Sequence, residues 1–591
     1  MAISVEDTND ISPSATVSPT DDDVVIVEPG VTVGATTGDG ISAGTDSRVK
    51  IFVDGITAAL DAGVVLGPNS TLEVGPSGAL IGDTFGLWVR GSGSAVNNAG
   101  SISGGSTDDS SDAAIFVNTG NTAITNTGRI SSAVEAVEVD TIFSVSLANS
   151  GAITAASDAI SVEARFNLTN TGTITSEDGS AIAASAGLNT IANSGAITSD
   201  ATAIDIDSGG NRIVNDGIIT SRFQAGIDLG ADGVGSEVVN NNKIVADDYG
   251  VRILGTESIL VNTGEIVAER QDGVLVDEAR YVMNSGAISG DDTGMSLTGE
   301  DYRVVNTGTV DGEARGVELF QTSQNSSTEV VFINRGVVSS QGDAIYGGQL
   351  FGTFETIRNT GTVEGDINLN GGDDRVVNAG EIGGDVLLDS NPQAITSGDD
   401  TYHGLGDGSV DGRVIGLLGD DTMVGSAAND TFEGGADDDR LIGRAGDDVI
   451  DGGDGSDLIG GGAGDDEVTA GDGDDDVFGG FGDDALFGQR GDDEINAGAG
   501  DDTVAGNNQD DTIRGQGGDD LLNGGSGQDT VRGGEGHDTI EGGIFGDLLG
   551  GGSGNDLIDG EGGDDTIHGG AGDDEIVTGD GADDIVIRKG M

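Results

Sequence analysis

Cysteine is absent from the 591-residue chain, so neither a disulfide nor a thiolate metal site is open to it. Histidine is almost absent: His403, His537 and His568 are the only three, and residues 30–390 hold none. That stretch therefore lacks the commonest acid–base side chain of enzymes. Aromatic residues make up 4% of the chain, with Trp88 the single tryptophan, so stacking platforms for sugars are few. Basic residues number 24 against 105 acidic ones, a formal charge of −81. A surface of that sign repels nucleic acid and anionic membranes, and neither is expected as a partner. No 18-residue apolar run exists to span a bilayer as a helix, and no apolar membrane-active segment of the kind a pore-forming toxin needs is present. Met1-Ala2-Ile3-Ser4-Val5-Glu6-Asp7 lacks the basic start and apolar core of a secretory signal peptide. Proline, at 6 residues, excludes a proline-rich linker.

Glycine is abundant instead, at 108 residues, and the 35% of apolar residues are regularly spaced. Much glycine with little proline suits repeated tight turns between short strands. Residues 1–29, rich in Asp, Ser, Thr and Pro, read as a flexible acidic leader. Beyond them lie two arrays of repeats with different periods.

The first array marks each repeat with Asn, preceded two positions earlier by an apolar residue and followed two positions later by Gly. Its thirteen asparagines run from Asn98 and Asn126 to Asn359 and Asn378, at spacings of 19 to 28 residues. In one copy Asn242 replaces the glycine, which suggests a left-handed backbone at that position. Alternating segments such as Ala203-Ile204-Asp205-Ile206 fill the intervals. This pattern predicts an all-β fold, a parallel β-helix over residues 30–390 whose coils stack at ~4.8 Å into a rod of roughly 60 Å or more. The recurrent Asn is expected to form a hydrogen-bonded ladder along it. Residues 96–382 resemble the β-helical passenger regions of bacterial autotransporters and large adhesins.

The second array, residues 416–586, has a strict period of nine, as in Gly452-Gly453-Asp454-Gly455-Ser456-Asp457-Leu458-Ile459-Gly460. The sixth position is held by Asp421, Asp430, Asp439, Asp448, Asp457, Asp466, Asp475, Asp484, Asp493, Asp502, Asp511, Asp520, Asp529, Asp538, Asp547, Asp556, Asp565, Asp574 and Asp583. The eighth is apolar in every copy, from Met423 to Ile585, whereas Ala428, Asp437, Gln509 and Phe545 replace the fourth-position Gly. These repeats closely resemble those of the RTX family of calcium-binding secreted proteins. Less regular outliers precede the array at Gly371-Gly372-Asp373-Asp374 and Gly398-Asp399-Asp400 and read as degenerate calcium turns; residues 391–415 are expected to form a junction with such turns, and residues 587–591 a short tail.

A six-residue turn and a three-residue strand return the chain to one face, so two repeats should complete an 18-residue coil of a β-roll. Calcium takes six to eight hard oxygen ligands, which turn carbonyls and the sixth-position Asp would supply together. Repeats n and n+2 stack, giving one edge of ten aspartates with nine gaps and another of nine with eight. About 17 ions would fill them, carrying about +34 of charge. Residues 416–591 hold 46 acidic and 7 basic groups, an excess of 39 that the ions nearly cancel. The resemblance further implies export from a Gram-negative bacterium in one step, unfolded, under a C-terminal signal. Only Ile587-Arg588-Lys589-Gly590-Met591 follow the last repeat, where the family usually has a longer tail. The functional expectation is a non-enzymatic extracellular adhesin, matrix component or surface-layer scaffold. Its partners would be calcium, and cell-surface polysaccharide or further copies of itself. The alternative is a calcium-dependent polysaccharide lyase or epimerase with a β-helical catalytic domain.

Overall fold

The structure is a computed structural model that describes residues 2–5, 18–19, 23–36, 38–43, 48–106, 112–232, 234–321, 329–348, 354–389 and 398–586. The chain forms two compact units, Met1–Gly299 with Gly308–Ala314, and Glu300–Thr307 with Arg315–Met591. Among the described residues there is no helix, and the strands pair in parallel.

The first unit is built of three-stranded coils. Phe166–Asn170, Thr173–Ser176 and Ile182–Ala184 make one; Thr190–Asn193, Ala196–Ser199 and Ile204–Ser208 stack on it in matching order. Period-2 alternation places the residue two before each Asn inward. Ile124, Leu147, Leu168, Ile191 and Ile213 thus form one buried column, each contributing about 1.5–3 kcal/mol by leaving water. The asparagines form the expected ladder. Nδ2 of Asn126 donates to Oδ1 of Asn149 at 2.7 Å, Asn149 to Asn170 at 2.8 Å and Asn170 to Asn193 at 2.7 Å, all buried. The second unit carries a ladder of its own, from Asn306 through Asn334 and Asn359 to Asn378 at 2.9 Å each.

The glycine after each Asn has a different cause from the one its sequence suggested. Neither these glycines nor Asn242 adopts positive φ. What they need is room, because a Cβ on Gly172 would lie 2.0 Å from the Gly151 carbonyl oxygen of the preceding coil. The expected loose leader also needs correction. Val24–Val27 is a strand paired with Ala2–Val5 and Lys50–Val53, with Val25 and Val27 fully buried. Four consecutive β-branched residues outweigh the polar composition around them. Most of the remaining leader residues, and the tail at 587–591, lie outside the described residues.

In the second unit the β-helix passes into the β-roll without a break in pairing. Thr401–Gly404 pairs with Arg375–Asn378 on one side and Thr422–Val424 on the other. Val414–Leu418 likewise joins Val386–Leu387 to Thr431–Ala436. Ser409–Val410 is the last strand of a third row, after which coils have two strands each. Residues 398–415 are therefore part of the solenoid and not a separate junction, while 391–397 fall outside the described residues.

Candidate metal centre

The roll's register is 18 residues, as Leu458↔Asp476 and Ile459↔Val477 show. Its strands are longer than the three residues expected. Leu458–Ala463 runs from the seventh position of one repeat to the third of the next, leaving positions four to six as the corner. Eighth-position side chains from Met423 to Ile567 are buried, whereas Ile576 is half-buried and Ile585 exposed.

The corner depends on glycine at a defined point. Gly473, in the fourth position, has φ of +148°, and a Cβ there would sit 1.7 Å from the Gly455 carbonyl oxygen of the coil below. Gly473→Ala should therefore weaken the roll by more than the ~1–3 kcal/mol of backbone strain alone. Gly550→Ala should be close to neutral, since the nearest atom to its Cβ is Arg532 Cγ at 3.9 Å. The calcium concentration at half-folding, followed by circular dichroism, should rise for the first variant only.

The sixth-position aspartates are brought together in two edge rows, one from Asp421 to Asp583 and one from Asp430 to Asp574. Within a row, the Asp421 amide donates to Asp439 Oδ1 at 2.8 Å, and the Asp439 amide to Asp457 Oδ1 at 2.8 Å. The other row repeats this, from Asp484 to Asp502 at 2.8 Å and from Asp502 to Asp520 at 3.0 Å. From Asp421 to Asp565 these side chains are at most 3% exposed. One carboxylate oxygen of each accepts no hydrogen bond: Oδ2 throughout, except Oδ1 in Asp430, whose Oδ2 accepts from Ser426. Burial raises their pKa values: Asp421, Asp439 and Asp511 to about 8, Asp484 and Asp520 to about 7, Asp502 and Asp529 to about 6. Neighbouring carboxylates in the rows add to the rise for Asp421, Asp439, Asp484, Asp511 and Asp520.

A buried anionic oxygen without a donor is costly, and a cation is what would satisfy it. A methyl group on Gly434 would lie 2.4 Å from Asp439 Oδ2 and 2.5 Å from the Gly452 carbonyl oxygen. Carboxylate and main-chain oxygen thus both crowd this glycine, which leaves no room for a side chain. No cluster of three or more His, Cys, Asp or Glu side chains poised to hold a metal occurs among the described residues. A hard cation here would take one carboxylate per rung and complete its shell with carbonyls, a donor set suited to calcium.

The fifth position, which varies in sequence with Asp, Asn, Ser and His among its residues, has a structural role of its own. Its side chain accepts from the fifth-position amide of the next coil: Asp501 Oδ1 from Asp519 at 2.8 Å, Asn429 Oδ1 from Asp447 at 2.9 Å, and His537 Nδ1 from Asn555 at 2.8 Å. The sixth position reaches back one coil and the fifth reaches forward. Asn and His do this as well as Asp, which is why the position looked unconstrained.

The RTX calcium-binding nonapeptide repeat family, in a four-copy form, matches this chain at residues 415–450, 433–468, 451–486, 478–513, 514–549 and 550–585. Among curated proteins, none matches the chain. Residues 415–585, with their two buried rows of aspartate, are thus RTX calcium-binding nonapeptide repeats.

Proposed function

We propose that this calcium-binding repeat protein is secreted. Outside the cell it acts as a structural component, an adhesin, matrix or surface-layer scaffold, whose roll folds on meeting calcium. The sixth-position aspartates from Asp421 to Asp583 are its ligands, about 17 ions at full occupancy. One observation carries the reading: the rows hold buried carboxylate oxygens that no protein donor reaches and that a hard cation would satisfy. Low calcium inside a cell would keep such rows open, and millimolar calcium outside would close them. A cell-surface polysaccharide or further copies of the chain are the partners such a scaffold would engage. Fractionation of the producing bacterium tests the placement. The protein should be found in medium or on the cell surface, released by chelator; a cytosolic pool would contradict it.

Protons should compete with calcium in these rows. The folded-state pKa values of about 6 to 8 lie above the unfolded value near 4, so the metal-free roll binds more protons folded than unfolded. The stability that these protonations contribute is full below about pH 4 and is lost as pH rises through 6 to 8. In chelator, lowering the pH from 8.5 to 5.5 should therefore increase the roll's strand signal. With calcium present, the same change should raise the calcium concentration needed for folding. A metal-free signal that stays flat or falls on acidification would contradict the assignment.

One observation favours the alternative of a polysaccharide-modifying enzyme. On the strand Glu135–Val139, burial raises Glu135 to about 8 and Glu138 to about 7, and Glu138 pairs with Phe116 in register. Calcium-loaded protein incubated with uronate polymers should give no unsaturated ends and no change in uronate ratio. Product formation abolished by Glu135→Gln would replace the scaffold reading.

A further inference from the structure

The nonapeptide matches begin at residue 415, yet the features of the calcium turn do not begin there. Two coils upstream, in segments 26 and 21 residues apart from rung to rung, the same four marks recur. The first is the sixth-position rung: the Asp374 amide donates to Asp400 Oδ1 at 2.6 Å, and the Asp400 amide to Asp421 Oδ1 at 2.8 Å. Asp374 and Asp400 thus stand in line with the first row. The second is the fifth-position stitch, in which Asp373 Oδ1 accepts from Asp399 at 3.3 Å and Asp399 Oδ1 from Asp420 at 3.4 Å. The third is close approach at the fourth position, where a Cβ on Gly398 would lie 1.8 Å from the Gly372 carbonyl oxygen. The fourth is the inward apolar residue two places on: Val376 and Tyr402 are fully buried and lead in register to Met423.

What points to a ligand is the state of the two side chains. Asp374 and Asp400 are each 1% exposed, and Oδ2 of each accepts no hydrogen bond. A carboxylate oxygen enclosed this way is the same cation-seeking group found in every rung from Asp439 to Asp565. The second row ends differently. Next to its first rung, Asp430, Nη1 of Arg444 donates to the carbonyl oxygens of Gly404 at 3.0 Å and Gly425 at 2.9 Å. There a guanidinium engages main-chain oxygens; beside the upstream rungs the neighbouring charges are further carboxylates, Glu355 next to Asp374, and Asp389, Asp373 and Asp399 next to Asp400.

We propose that the calcium ladder extends beyond the nonapeptide repeats into the β-helix, with two further calcium sites, one between Asp374 and Asp400 and one between Asp400 and Asp421. The proposal rests on the calcium reading of the sixth-position rows. It makes the last β-helical coils calcium-dependent, so that metal couples the two kinds of solenoid within this unit.

The test counts ions on the full chain by equilibrium dialysis against radioactive calcium. Asn keeps the Oδ1 acceptor of each rung and removes the charge. Asp374→Asn should bind one ion fewer than the wild type and Asp400→Asn two fewer. Asp475→Asn, in the middle of the array, serves as reference and should also lose ions. Wild-type counts in both upstream variants, with loss in Asp475→Asn, would overturn the extension alone. No loss in any of the three would sink the row reading and the extension with it. Hydrogen exchange of the wild type needs no variant: calcium should slow the amides of Asp374 and Asp400 at least ten-fold. Unchanged rates there, with slowing at Asp439 and Asp457, would also overturn the proposal.

Discussion

Removing calcium at pH 8 is expected to unfold residues 416–586 while the asparagine-laddered coils of the first unit stay folded. The magnitudes favour this outcome. Carboxylates on successive coils, roughly 5 Å apart, repel by about 3 kcal/mol per pair at an effective dielectric of about 20. Against that, each nine-residue repeat buries one large apolar side chain, worth about 1.5–3 kcal/mol. Ordering nine residues of backbone costs more than such a side chain returns. The first unit has no comparable debt, since its coils bury several apolar columns and satisfy their amides by laddering. Limited proteolysis in chelator should leave a protected fragment from the first unit, with loss of roll strand signal in circular dichroism. A protected fragment from residues 416–586 beside a digested first unit would show that the roll does not depend on metal.

The second large effect distinguishes ligand from charge at one dipeptide. Asp502 is 1% exposed, its Oδ1 accepts from the Asp484 amide at 2.8 Å, and its Oδ2 accepts nothing. Asp501 is exposed and its Oδ1 accepts from the Asp519 amide at 2.8 Å. Alanine at either site would delete a side-chain to main-chain bond worth about 1 kcal/mol and blur the comparison. Asparagine keeps both bonds, removes one negative charge in each case, and already occupies the fifth position at Asn429 and Asn555. If repulsion alone governed folding, both variants would fold slightly more readily. Coordination predicts that Asp502→Asn loses up to two ions and needs several-fold more calcium to fold, while Asp501→Asn matches the wild type. Calorimetric calcium titration decides, and coincident curves would count against the sixth-position assignment.

Much of this architecture is legible in the residues themselves. A strict nine-residue period with Asp at six and an apolar residue at eight dictates an 18-residue coil and two edge rows, and the register agrees. The asparagine ladder follows equally from spacing. What was hidden depended on neighbours one coil away. The glycine after each Asn answers to a carbonyl about 22 residues earlier, which no local turn rule reveals. The fifth position carries a bond that Asp, Asn and His all make, so its variability masked its role. Val24–Val27 was obscured by the polar residues around it, and the continuous pairing through Thr401–Gly404 by irregular coil lengths. Asp374 and Asp400 showed only a Gly-Asp-Asp trace, too short to give a register without the coils between.

Anomalous scattering from crystals grown in calcium tests the central claim most directly. The account predicts rows of peaks along both edges of the roll, each beside the donor-free oxygen of a sixth-position Asp and recurring once per 18-residue coil. Peaks confined to the exposed fifth-position carboxylates, or rows without peaks beside Asp439, Asp457 and Asp475, would contradict it.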